Sequence, residues 1–71
     1  MLFQETKLER CEQWLLALLS DGAVKPGDVV EIGKQTGFSR TTIYSARLEL
    51  GDRIANTDGY LSPFNMWKLA E

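Results

Sequence analysis

Between Ser39 and Leu48 the chain reads SRTTIYSARL, a run of hydroxyls and guanidiniums with one phenol. Ser39, Thr41 and Thr42 can donate hydrogen bonds to phosphate oxygens, and the positive end of a helix starting there would favour an anion. Arg40 and Arg47 can reach a guanine edge or a phosphate, and Tyr44 can stack or donate. The wider stretch from Gly33 to Leu48 holds Lys34, Arg40 and Arg47 and no carboxylate. This chemistry suits holding a polyanion rather than breaking a bond. The chain has no histidine and a single cysteine, Cys11, and it carries no phosphate-binding loop or nucleophile–base pair. The expectation is therefore no enzyme, no metal site and no cofactor.

Those side chains need a scaffold, and the residues Ile32 to Ala46, IGKQTGFSRTTIYSA, describe one. Two helices crossing steeply through a short turn require a small residue at the crossing, and Gly33 fills that place. Gly37 allows the turn, Phe38 drops into the core from it, and Ser39 caps the next helix. Ile43, Ala46 and Leu50 then form the inner face of that helix. With roughly 100° of rotation per residue, Thr41, Tyr44, Ser45 and Leu48 face outward, and Arg40 and Arg47 flank them. In a helix-turn-helix this outward face enters the major groove of DNA.

The flanking sequence completes the domain. Thr6 and Glu9 form a capping-box pair that opens a first helix over 6–21, whose inner face is Leu8, Cys11, Leu15, Leu18 and Leu19, with Trp14 at its edge. Asp21-Gly22 ends it, and Ala23-Val24 is a short β-prone segment. Pro26 opens a second helix over 26–36, with Val29, Val30 and Ile32 as its apolar positions. The third, recognition helix occupies 39–50 and Gly51 stops it. Beyond it, Arg53 to Asn56 and Met66 to Leu69 read as two strands, with Trp67 and Leu69 facing inward, joined by a loop of about nine residues that starts at the turn dipeptide Asp58-Gly59. The predicted fold is α+β, mainly α: a winged helix-turn-helix of three helices with a C-terminal hairpin wing over 53–69, in the order helix, short strand, helix, helix, strand, strand. Residues 1–5 would be an N-terminal arm. Arg53 and Lys68, with the polar loop from Asn56 to Asn65, would meet the nucleic-acid backbone beside the groove.

Seventy-one residues set the size of one small domain, and 44% apolar with 25% charged residues is an ordinary globular composition. The net charge of −2 does not advertise a nucleic-acid binder. Its distribution says more. Up to Gly22, Lys7 and Arg10 face Glu5, Glu9, Glu12 and Asp21, whereas the remaining residues hold six charges of each sign. Neither a secretory signal nor a membrane-length apolar run stands out, so the expected compartment is the cytoplasm or nucleoid.

Trp14-Leu15, Leu18-Leu19, Asp21-Gly22, Pro26, Gly37-Phe38-Ser39, Thr42-Ile43, Ala46-Arg47, Leu50-Gly51 and Trp67-Lys68-Leu69 together form a pattern running from Trp14 to Leu69. It resembles the winged-helix domains at the C-terminal end of phage- and plasmid-type replication proteins, the primase–helicase and RepA-like ATPase class. The resemblance implies a DNA-binding or assembly module of a replication protein, or a regulator of transcription in a mobile element, either as one domain of a longer protein or as a free-standing relative. Third helices of that group are usually rich in Arg and Lys. Here Arg47 matches a basic residue, while Tyr44, Ser45, Leu48 and Glu49 stand where basic residues are common.

Two readings of the exposed face therefore stand together. Double-stranded DNA would be bound through the third helix and wing by Ser39, Arg40, Thr41, Thr42, Tyr44, Ser45, Arg47, Leu48, Arg53 and Lys68, with dimerisation as the ordinary route to useful affinity. Alternatively Tyr44 and Leu48 dock a protein partner or a second copy, since an outward leucine beside a tyrosine fits an interface as well as a thymine methyl. Trp14, Trp67 and Cys11 read as core or core-edge residues without a functional role.

Overall fold

Thr6 accepts a hydrogen bond from the Glu9 N–H at 3.1 Å through its hydroxyl, while the Glu9 carboxylate accepts from the Thr6 N–H at 3.1 Å, and helix α1 (Lys7–Leu19) starts from this reciprocal cap. The computed structural model describes residues 6–59 and 62–70, so the expected N-terminal arm lies outside the described residues. Helix α1 is shorter than the 6–21 span predicted. Ser20 closes it, its N–H and hydroxyl both donating to carbonyls of the last turn, and the chain leaves through Gly22 at φ 135°.

Helix α2 (Pro26–Thr36) has Pro26 in its first turn, where the missing N–H costs no hydrogen bond. It ends at Gly37, whose φ of 111° is the left-handed geometry that lets its N–H and that of Phe38 both return to the Gly33 carbonyl. Helix α3 (Arg40–Leu50) follows after Ser39, which caps it by accepting from the Thr42 N–H at 3.2 Å. A single 3₁₀ turn over Gly51–Arg53 then leads into strand β1 (Ile54–Asn56), which pairs antiparallel with β2 (Trp67–Leu69). Arg53 thus belongs to the turn and not to the strand, as the sequence had suggested. The described residues form a small, mainly helical α+β layout, three helices with a two-stranded antiparallel hairpin after them.

The core lies where α1 packs along α3, the most extensive contact between elements. Cys11, Leu15 and Leu19 of α1 meet Ile43, Ala46 and Leu50 of α3, with Val29, Ile54 and Trp67 closing the remaining sides. Helix α2 contributes only Val29 and Gly33 as fully buried positions, so Ile32 stays 37% exposed. At Gly33, α2 packs directly against Ile43 of α3. A Cβ there would collide with Ile43 Cδ1 and lie 3.0 Å from Trp14 Cη2, so a larger residue would push α3 outward. Val24 and Trp67 exchange both backbone hydrogen bonds, at 2.9 and 2.8 Å, which ties the segment before α2 to the hairpin.

The hairpin loop is held by a buried polar residue. Asn65 donates to Asn56 Oδ1 at 3.0 Å through its amide, accepts from the Asp58 N–H at 3.1 Å, and gives its own N–H to the Ser62 carbonyl. With its side-chain oxygen, side-chain nitrogen and backbone N–H each bonded, burial of Asn65 carries little desolvation penalty. No helix among the described residues is long and apolar enough to cross a membrane.

Candidate nucleic-acid interface

Helix α3 turns one face to the core and the other to solvent because Ile43, Ala46 and Leu50 recur at helical spacing and are all buried. Arg40, Thr41, Tyr44 and Leu48 are exposed, and Ser45 and Arg47 are half-buried on the flank. Leu48, with 80% of its surface exposed, is the most solvated of the large apolar residues described.

The exposed face is organised around rings. The Arg40 guanidinium lies 5.4 Å from the centre of the Tyr44 ring, one helical turn away. Tyr44 meets Trp67 of β2 edge-on, with centroids 5.5 Å apart and planes at 88°. The Arg47 guanidinium then sits 5.5 Å from the Trp67 ring and donates to the Gly51 carbonyl at 3.3 Å. Cation, ring, ring and cation thus form one continuous row from the first turn of α3 to the hairpin. Each guanidinium–ring contact contributes about 0.5–1 kcal/mol at an exposed position. A depression of about 220 Å³ opens beside this row, lined by Tyr44, Arg47, Leu48, Asn56 and Trp67.

The other sequence-predicted residues are placed less uniformly. Ser39 and Thr42 stand at the start of α3, but their hydroxyls are hydrogen-bonded to each other at 2.9 Å and that of Ser39 also accepts from the Thr42 N–H as the cap. Thr41 is exposed beside them. Arg53 is exposed in the 3₁₀ turn, with its carbonyl accepting from the Ala70 N–H. Lys68 does not join the α3 row. It alternates with Trp67 along β2, as strand geometry requires, and lines a second depression with Leu19, Ser20, Gly22, Ala23 and Leu69. The predicted wing loop is also less available than its composition suggested, because Asn56 and Asn65 are bonded to each other.

Trp67 is the residue that sequence reasoning undervalued. It is 5% exposed and belongs to the core, yet its ring also carries Tyr44 and Arg47 and floors the depression. The readable signal was the i, i+4 and i, i+3 spacing of Arg40, Tyr44 and Arg47, which puts all three on one stripe. Nothing in the sequence revealed that β2 would bring an indole under that stripe.

Burial pushes the Cys11 thiol above its ordinary pKa and nearby Glu12 adds to the effect, which keeps the sulfur protonated and inert at neutral pH. No group of three or more potential metal ligands occurs among the described residues. Comparison of the chain with protein-family models, with curated proteins and with solved structures returned no match.

Proposed function

We propose that this chain is a winged helix-turn-helix module that binds double-stranded DNA, with α3 in the major groove and the hairpin as its wing. The observation that carries the reading is the Arg40–Tyr44–Arg47 stripe of α3, backed by the buried Trp67 ring, on a capped helix that has no carboxylate in its first turn. Basic side chains at both ends of such a row favour phosphates, and Thr41 and Ser45 between them offer donors to base edges. The spread of positive charge is thin, so affinity should be modest and strongly dependent on salt. The resemblance to replication-protein winged helices points the same way and suggests a role in replication or regulation of a mobile element.

The test is a fluorescence-anisotropy titration of wild type, Arg40→Ala and Arg47→Ala on a labelled duplex over a range of salt concentrations. Each substitution should weaken binding several-fold and reduce the slope of log affinity against log salt by about 1. Identical curves for the three proteins would remove α3 from the contact.

A second reading has its own observation. Leu48 stands almost fully in solvent beside an apolar depression, which also fits a surface for a protein partner or a second copy. Sedimentation of wild type and Leu48→Lys separates the two readings. Self-association lost in the variant favours an interface, and DNA affinity gained by it favours the groove.

A further inference from the structure

We propose that the exposed side of α3 pairs with the same side of a second copy of this chain, the two helices antiparallel about a two-fold axis between Tyr44 and Ser45. This does not depend on the DNA-binding reading. It commits the second reading, that of Leu48, to one occupant and one register.

Charge stands at both ends of the exposed side. Arg40 lies in the first turn of α3 and Glu49 in the last, both are exposed, and no ion pair engages either among the described residues. The nine residues between them, at about 100° each, amount to about two and a half turns and set them on opposite flanks. Thr41 and Leu48 are seven residues apart and so fall within about 20° of one line. That line runs down the middle of the exposed side, because Ile43, Ala46 and Leu50 are buried behind it. Tyr44 and Ser45 stand to either side of the line. A two-fold rotation about the outward direction, centred between Tyr44 and Ser45, reverses the helix and exchanges its flanks. Arg40 of one copy then meets Glu49 of the second copy at the same height and on the same side. Thr41 likewise meets Leu48, Tyr44 meets Ser45, and every contact is made twice.

Each pairing is chemically matched. Guanidinium faces carboxylate at both ends of the contact. Leu48, 80% exposed in the monomer, is covered by the Thr41 methyl and the Tyr44 ring of the second copy. Antiparallel helices also bring the positive end of each dipole to the negative end of the other. The contact is confined to an 11-residue helix, so it falls short of a standard interface and the dimer is weak. It covers the face that α3 would offer to DNA, which makes the paired and DNA-bound forms mutually exclusive.

Sedimentation equilibrium without DNA, from about 10 μM to about 1 mM in low salt, brackets an association of this strength. Wild type should pass from monomer to dimer across that range. Arg40→Glu and Glu49→Arg each turn both symmetric contacts into like-charge ones, and each should weaken the dimer about tenfold. Both changes keep a good helix former and place its charge where the helix dipole favours it, so lost pairing would not reflect a melted helix. A circular-dichroism melt of each variant checks this. An equimolar mixture of the two variants should recover wild-type association, since opposite charges again face each other, and so should the chain carrying both substitutions. A wild type that stays monomeric throughout overturns the inference while leaving DNA binding intact. Single variants that associate as wild type does overturn it by moving the contact elsewhere. A mixture that fails to recover overturns the antiparallel register.

Discussion

The two tryptophans sit in aromatic pairs of nearly the same spacing and do different work. Trp14 of α1 meets Phe38 of the α2–α3 turn with centroids 5.4 Å apart and planes at 47°. Trp67 of β2 meets Tyr44 of α3 at 5.5 Å and 88°. The first pair lies next to Gly33 at the helix crossing, where it holds the turn against α1. The second pair carries an arginine on each ring, and both guanidinium–ring contacts among the described residues belong to it. An aromatic pair therefore acquires its role from its neighbours. Beside a glycine and aliphatic side chains it is a clasp, and between two cations it joins the core to the outer side of α3.

Removing the rings breaks the comparison most directly. Trp67 is almost fully buried, so Trp67→Ala should cost about 3–5 kcal/mol, a large share of the stability of so small a domain. Trp14 keeps part of its ring in solvent, and Trp14→Ala should cost roughly half as much. Urea denaturation followed by circular dichroism measures both, and equal losses would undo the distinction between floor and clasp. Next in size is Gly33→Val, which forces a side chain into Ile43 and Trp14 at the crossing. It should destabilise by about 2–3 kcal/mol, seen as a lower midpoint with an unchanged denaturant slope. A neutral result would mean that α2 and α3 can separate without loss.

The smallest effect sharpens the comparison without unfolding anything. In Trp14→Phe the remaining indole is Trp67, and in Trp67→Phe it is Trp14. Duplex DNA should change the emission of the first variant and leave that of the second unaltered. A response from Trp14 instead would place the contact at the α2–α3 turn.

Local features of the fold were readable from the residues alone. The Thr6–Glu9 box, Pro26, Ser39 and the glycines at 37 and 51 act within one or two turns of themselves, so their spacing was enough to place three helices. Val24, identified as a β-prone segment, bonds to Trp67 across the chain. What the residues did not show depended on elements meeting. Ile32 reads as an inward position until the shallow packing of α2 leaves it at the surface. Asn65 reads as solvated loop until its hydrogen bonds with Asn56 and Asp58 fix it in a buried position. The pairing of Trp67 with Tyr44 joins residues 23 positions apart. Lys68 is a different case: period-2 alternation with an inward Trp67 already implied the opposite side of the strand.

The reciprocal backbone bonds between Val24 and Trp67 have a mechanical consequence for any ligand. Trp67 is paired with Val24 on one side and stands opposite Asn56 in the ladder on the other, so the indole is clamped at its root between two stretches of chain. Arg40 and Leu48, by contrast, project from the exposed side of α3. Accommodation of differently shaped targets would come from those side chains re-aiming over a stiff base, and Val24→Pro, which deletes the N–H given to the Trp67 carbonyl, would soften that base from a distance.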